Sequence, residues 1–360
     1  LSHLTPDRVL VSLLAPFEDT KEWKTTEYYD TPYRISSIER DALEYEQSVA
    51  ELSKKLALPG ENPFVPEDLS LVSGDDMSAP SRMGNDPVTL WYARDTQFGA
   101  PRANVYLTLR SPAANGSPRS VVLTRLLTEL VKDELNALAY PARLADLDYS
   151  IYNHLRGITV KVSGYNDKLP ELLHEILLRL RHPTLAADAF ETRLRELKDE
   201  LANAAQRRPY KIATSRLQQG LMPDAHSHGA RLEAARGLEL EDLQAHVRDF
   251  YSELEPVMMV HGNMTRAAAL NLRTRTSSLV MADVGETDVP RSQLKRLRQG
   301  SQTLKAAVQH SDQGYLRYIQ GPDKSLETKA AYRVLAQVLS QPFYESIRTN
   351  QQMGYIVQAM

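Results

Sequence analysis

Two side chains near the end of the 360-residue chain have the types and spacing to act together: Arg348, a planar guanidinium, and Tyr355, a phenol, seven residues further on. A guanidinium can donate charge-assisted hydrogen bonds to a carbonyl or carboxylate, and a phenol can donate or accept one. The stretch from Gln341 to Val357 must position them. Before it, Leu326, Ala330, Val334, Leu335 and Val338 recur at helical spacing and share one face. Asp323 or Ser325 can cap that helix, and Glu327 suits its first turn. Pro342 is expected to end it and to open a second, short helix with Phe343, Tyr344 and Ile347 inward. Arg348 then falls near a helix C-terminus, Gly354 suits a turn, and Tyr355, Ile356 and Val357 read as the start of a strand. Spacing alone leaves the plainer roles open: Arg348 on the carbonyls of its helix end, Tyr355 as a half-buried strand aromatic.

Other candidates are weaker. His174-Glu175 begins like a two-histidine metal helix, but the position that needs the second histidine is Leu178, and His182 lies eight on. Both histidines fit the surface of a helix over 169–181 and its exit. His226-Ser227-His228 could hold a metal as a strand pair, yet it sits in a loop flanked by Pro and Gly with no further ligand at a useful spacing, so no metal is assigned to it. His261 ends a buried strand. Arg207-Arg208-Pro209 could be an anion site, although an exposed helix end accounts for it better.

The supporting elements mix helices and strands without strict alternation, which favours an α+β class over a doubly wound sheet. Strands are expected over residues 8–15, 88–92, 104–109, 158–163 and 257–260. In 104–109, Val105, Leu107 and Leu109 share one face, with Tyr106 and Thr108 on the other. Helices are expected over 38–56, from Ser117-Pro118 through Leu138, and over 169–181, 185–203 and 240–251, with a Glu191–Arg195 ion pair on the fourth. A chain of this length suggests two or three domains. Residues 73–87 read as a linker. Residues 88–290 read as a complete domain, 291–300 as a basic connector and 301–360 as the beginning of another domain.

Net charge is −3 with 25% charged residues, which marks no nucleic-acid or membrane-surface binder. No apolar run approaches the roughly 20 residues of a membrane span. The absence of cysteine removes disulfides and thiolate metal sites. Shifting the chain by 208 residues aligns Leu126, Leu127, Leu130, Val131 and Leu135 with Val334, Leu335, Val338, Leu339 and Phe343, and both copies run on to a tyrosine, Tyr149 or Tyr355. This suggests a duplicated domain in which 122–147 and 327–355 superpose, each a helix on a sheet followed by a turn into a strand.

Arg348-Thr349 with Gln352-Met353-Gly354-Tyr355-Ile356-Val357 resembles a signature of the insulinase/pitrilysin family of zinc metallopeptidases. Pro101 to Val105, Lys132 to Asn136, Tyr140 to Tyr149, Gly164 to Lys168 and His261-Gly262-Asn263 agree with it in order. The resemblance implies repeated two-layer domains of amphipathic helices on mixed or antiparallel sheets, with the terminal domains truncated; it makes residues 1–72 the end of an earlier domain and His261 a structural turn residue. It also implies a parent zinc metalloendopeptidase that closes two halves around a peptide. In that family His-x-x-Glu-His holds the zinc and supplies the base; no such motif occurs here, so this chain is expected to be inactive alone and to bind no zinc. Its expected partners are a peptide substrate and the N-terminal catalytic half. Arg348 would donate to a substrate carbonyl, and Tyr355 would hydrogen-bond the substrate or its oxyanion. A catalytically inactive relative that binds peptides or acts as a scaffold is the alternative. The family favours the bacterial periplasm, with the cytoplasm as the other compartment.

Overall fold

The structure is a computed structural model that describes residues 10, 12–15, 22–37, 60–74, 77–84, 87–95, 97–289, 291 and 293–360. Two compact units divide it, Leu1–Glu61 and Asn62–Met360. In the first, β1 (Lys24–Thr25) pairs antiparallel with β2 (Pro32–Tyr33). The strand expected over 8–15 is not formed at its described residues, where Leu10, Leu13 and Leu14 lie exposed. An apolar run alone cannot hold an extended segment without a ladder partner. The helix expected over 38–56 lies outside the described residues.

The second unit is built on a seven-stranded mixed sheet. Its strands are β3 (Ser81–Gly84), β4 (Thr89–Arg94), β5 (Arg102–Arg110), β6 (Leu147–His154), β7 (Gly157–Tyr165), β8 (Glu253–Gly262) and β9 (Gly285–Glu286). They lie in the order β3-β4-β8-β5-β7-β6, with β9 beside β8. The β4–β8 and β8–β9 pairs are parallel and the others antiparallel. β3 occupies part of the stretch expected to be a linker. Alternation in β5 sorts the faces as anticipated. Val105, Leu107 and Leu109 are buried, while Tyr106 and Thr108 stand on the other, half-open face. There Thr108 meets Thr159 at 2.9 Å and Lys161 lies over the Tyr106 ring.

Helices cover the buried face. They are α1 (Pro118–Glu134), α2 (Asn136–Leu144), α3 (Leu169–Arg181), α4 (Ala187–Ala202), α5 (Pro209–Leu221), α6 (His228–Ala235), α7 (Leu240–Phe250) and α8 (Arg266–Val280). Ser117 caps α1 by accepting from the Ser120 N–H, with Pro118 at the first helical position. The apolar stripe of α1 continues through Leu135, where the helix breaks before α2. The pair Glu191–Arg195 does not form. On α4 it is Arg193 that binds, with its Nε 2.7 Å from Asp133 of α1 and Nη2 on the other carboxylate oxygen. A two-pronged guanidinium–carboxylate fit across helices outcompetes a solvated i,i+4 pair.

One buried polar chain crosses this layer. Thr124 of α1 donates to the Ala114 carbonyl, so it accepts from Nε2–H of His246 on α7 at 2.9 Å. Burial pushes the His246 pKa down from 6.5 to about 4, against a smaller opposing pull from Asp249, so the ring is neutral at pH 7. The unfolded chain therefore binds this proton first. The associated stability is complete above about pH 6.5 and drains as pH falls towards about 4. The loss is expected to reach about 3 kcal/mol. Urea unfolding of wild type and His246→Gln at about pH 7 and about pH 4.5 should show a shallower pH dependence in the variant. The same slope in both proteins would refute this assignment.

Candidate substrate-contact site

The last helix, α9 (Leu326–Tyr344), starts as its sequence dictates. Ser325 caps it by accepting from the Thr328 N–H, and Asp323 accepts from the Ser325 hydroxyl and N–H. Those bonds, the Ser325 hydroxyl first, hold the Asp323 carboxyl well below the usual range. Pro342 does not end the helix. α9 runs through it to Tyr344 and then widens into a π-helical turn, Glu345–Asn350. Pro342 removes one N–H from the ladder, and the chain meets that loss without breaking.

The π-turn brings the two candidate residues together. Gln351 donates its backbone N–H to the Ser346 carbonyl and its side-chain amide to the Ser346 hydroxyl, each at 3.0 Å. Gln352 adopts a left-handed φ of 50°, and the Met353 N–H reaches the Ile347 carbonyl at 3.1 Å. The reversal therefore turns at Gln352 and not at Gly354. It stacks the Arg348 guanidinium 4.7 Å from the centre of the Tyr355 ring. Arg348 makes no hydrogen bond or ion pair among the described residues, so its N–H donors are uncommitted. Tyr355 is 80% exposed, and its hydroxyl has no partner among the described residues. Ser346, Gln351 and Gln352 were invisible to periodicity, because a π-turn has no apolar signature.

Three expectations about this segment fail. Phe343 and Tyr344 are exposed and Ile347 is only half-buried, so no inward face forms there. Tyr355, Ile356 and Val357 are not in a strand. No strand among the described residues pairs with them, and an extended segment without a ladder is not a strand. Of the two segments expected to superpose, only the helix recurs. α1 leads through α2 and a left-handed Asp146 into β6, whereas α9 leads into the π-turn and irregular chain. Residues 295–314 run back along α5. The Lys295 N–H bonds the Leu221 carbonyl at 2.7 Å, and Gly314 lies against Pro209.

The remaining histidines are placed without a ligand set. His174 lies on α3, whose Glu175 pairs with Arg179. His226 faces the Asn115 carbonyl at 3.3 Å, and Nε2 of His228 accepts from Arg207 at 3.3 Å. A nitrogen facing a guanidinium does not fit a cation such as zinc. No group of three or more His, Asp or Glu side chains at metal-binding distance occurs among the described residues. His261, on β8, lies 3.4 Å from Asp95.

The signature stretches converge at one end of the sheet. Asn263, buried, donates its backbone N–H to the Arg102 carbonyl at 2.7 Å. Its side chain accepts from the Val72 N–H at 2.8 Å and donates to Ser70 and Asn166, each at 3.0 Å. Arg102 pairs with Asp146 and stacks on Tyr165. Asp167 accepts from the Glu67 N–H at 2.9 Å. Residues distant in sequence thus lock together one corner of the sheet.

A helix layer on a mixed sheet, with its signature residues at that corner, defines an α+β domain of a peptidase fold, and comparison with known proteins identifies the family. The middle or third domain of peptidase M16 matches residues 1–234, and the peptidase M16 inactive domain matches residues 237–360. The chain belongs to this family, the insulinase/pitrilysin metallopeptidases, and represents a non-catalytic part of it. The junction between the two matches precedes β8, which lies in the middle of the sheet. Human insulin-degrading enzyme is 28% identical over 375 residues, which cover 99% of this chain and 36% of that protein. Nardilysin of Rattus norvegicus is 27% identical over 369 residues, covering 99% and 31%. The crystal structure of pitrilysin superposes with a TM-score of 0.67 at 24% identity, covering 93% of this chain and 36% of that one. The chain thus spans about a third of the length of these relatives.

Proposed function

We propose that this chain is the non-catalytic half of a zinc-dependent metalloendopeptidase that encloses and degrades peptides. In this reading residues 88–290 form chamber wall, 301–360 begin the next domain, and the zinc and the base belong to an N-terminal half. The observation that supports it is the paired, uncommitted chemistry of Arg348 and Tyr355 on an exposed reversal. Arg348 would donate to a substrate backbone carbonyl as a charge-assisted donor. Tyr355 would donate its hydroxyl to the oxyanion that develops as water attacks the peptide bond. The cation over its ring leaves that hydroxyl free to do so. The bacterial periplasm is proposed as the compartment on the family resemblance.

The test joins metal content to turnover. This chain, purified without tags and dialysed, is expected to carry no stoichiometric zinc and to cleave no peptide. The longer protein that contains it is expected to carry zinc and to cleave. One tightly held zinc per isolated chain would overturn the assignment and direct attention to His226 and His228. A longer protein that binds peptides without zinc or turnover would support a scaffold instead.

A further inference from the structure

The hairpin between β6 and β7 turns through Leu155 and Arg156, and Arg156 takes hold of a distant part of the chain. Its Nη2 donates to the Val289 carbonyl and, at 3.1 Å, to Oε2 of Glu255 on β8. The same Oε2 accepts the Val289 N–H at 3.1 Å, while Oε1 accepts from Arg110 of β5. Both backbone groups of Val289 are thus bound by side chains, outside any ladder. β9 stops at Glu286, and the Thr287 N–H makes one more bond, to the Leu254 carbonyl at 3.3 Å. Buried Val289 is then fastened just before the basic connector over 291–300, which leads to α9 and the candidate site.

His154 holds the turn that carries Arg156. Its Nδ1 accepts the Arg156 N–H at 3.2 Å, so Nε2 carries the proton and donates to Thr159 at 3.1 Å. A second proton has no place in this arrangement. On Nδ1 it would face the Arg156 N–H and add a charge beside two guanidiniums. Burial first, then Arg110 and Arg156, hold the His154 pKa below its ordinary 6.5. The other charged groups here are Glu255, whose oxygens are taken by Arg110, Arg156 and Val289, and Asp288 and Arg291, which act on Arg156 with opposite signs. Tyr152 sets its ring 6.4 Å from the imidazole. The fastened state therefore binds fewer protons than the released one. Its stability is complete above about pH 6.5 and drains as pH falls below that value.

We propose that His154, Arg156 and Glu255 form an acid-released latch on Val289, which frees the start of the connector when the imidazole is protonated. The latch stands apart from the roles given to Arg348 and Tyr355 and needs no peptidase activity. Hydrogen exchange of the 360-residue chain, read by mass spectrometry on fragments covering Asp288, Val289 and Arg291, reports on the Val289 N–H. With intrinsic rates divided out, protection there is expected to fall between about pH 7.5 and about pH 5.5, by up to about tenfold, the limit set by a released imidazole that titrates at its ordinary pKa. Protection in β5 serves as the reference for global unfolding, the His246 effect included, and shows that each variant is folded. His154→Asn keeps an acceptor for the Arg156 N–H where Nδ1 stood and does not titrate, so protection at Val289 should lose its pH dependence. Arg156→Met keeps the N–H of the turn and removes the guanidinium. Val289 should then exchange faster at both pH values, with no further acid effect. If His154→Asn lacks β5 protection, wild type and Arg156→Met decide. Protection at Val289 that ignores pH in wild type, that is unchanged in Arg156→Met, or that still falls in acid in a folded His154→Asn would overturn the proposal.

Discussion

Replacing Tyr355 by Phe, in the longer peptidase of which this chain is proposed to be part, is expected to lower kcat about 100-fold, the worth of one oxyanion donor at roughly 3 kcal/mol. The geometry makes this substitution selective. Phe keeps the ring beneath the Arg348 guanidinium, which lies 4.7 Å from its centre, and removes only the hydroxyl. Stability should stay within about 0.5 kcal/mol of wild type, since the hydroxyl that is lost is exposed and has no partner among the described residues. Arg348→Ala is expected to cost as much activity or more, because it deletes the carbonyl donor and the stack together. Arg348→Lys should not restore it fully, because an ammonium cannot reproduce the planar fork. Thermal unfolding and peptide turnover, measured on the same preparations, separate this from a packing role. A packing role would lower the melting temperature and leave the specific activity of folded protein near wild type. Full kcat in a correctly folded Tyr355→Phe enzyme would end the chemical assignment.

Gly164→Ala should be among the most damaging single methyl groups added to the sheet. Gly164 is the penultimate residue of β7, with a left-handed φ of 134°, between β5 and β6. A Cβ there would collide with the Asp146 carbonyl oxygen and lie 2.9 Å from the Leu147 Cα. Both are backbone atoms held by the β6–β7 ladder, so they cannot rotate aside as a side chain would. The expected loss is about 4 kcal/mol or more, from strain at φ and from overpacking. The control is Gly229→Ala on α6, where nothing lies within 4 Å of the added methyl. It should leave stability unchanged or raise it by about 0.5–1 kcal/mol through helix propensity. Urea midpoints for the two variants decide the matter. A Gly164→Ala midpoint equal to wild type would mean that this end of β7 can slide, contrary to the corner described above.

The sequence by itself determined the local elements of the complete sheet domain and the family. Alternation in 104–109 and 158–163, the Ser117-Pro118 start and the stripes over 169–181 and 240–251 each need only neighbours a few residues away. The regions without such a pattern were missed. β3 and α8 are polar or mixed on both faces, and their place depends on partners far along the chain. The same limit explains the repeat. Leu126, Leu127 and Leu130 are almost fully buried, while Val334, Leu335 and Val338, in the same pattern, are at least half exposed. Amphipathicity states which face can be buried and not what covers it. For the candidate site, the sequence specified Arg348, Tyr355 and a reversal between them. Only the tertiary structure decided that a π-turn, clasped by Ser346 and Gln351, makes that reversal and stacks the cation on the ring. Backbone hydrogen bonds that skip one extra residue leave no mark on apolar spacing.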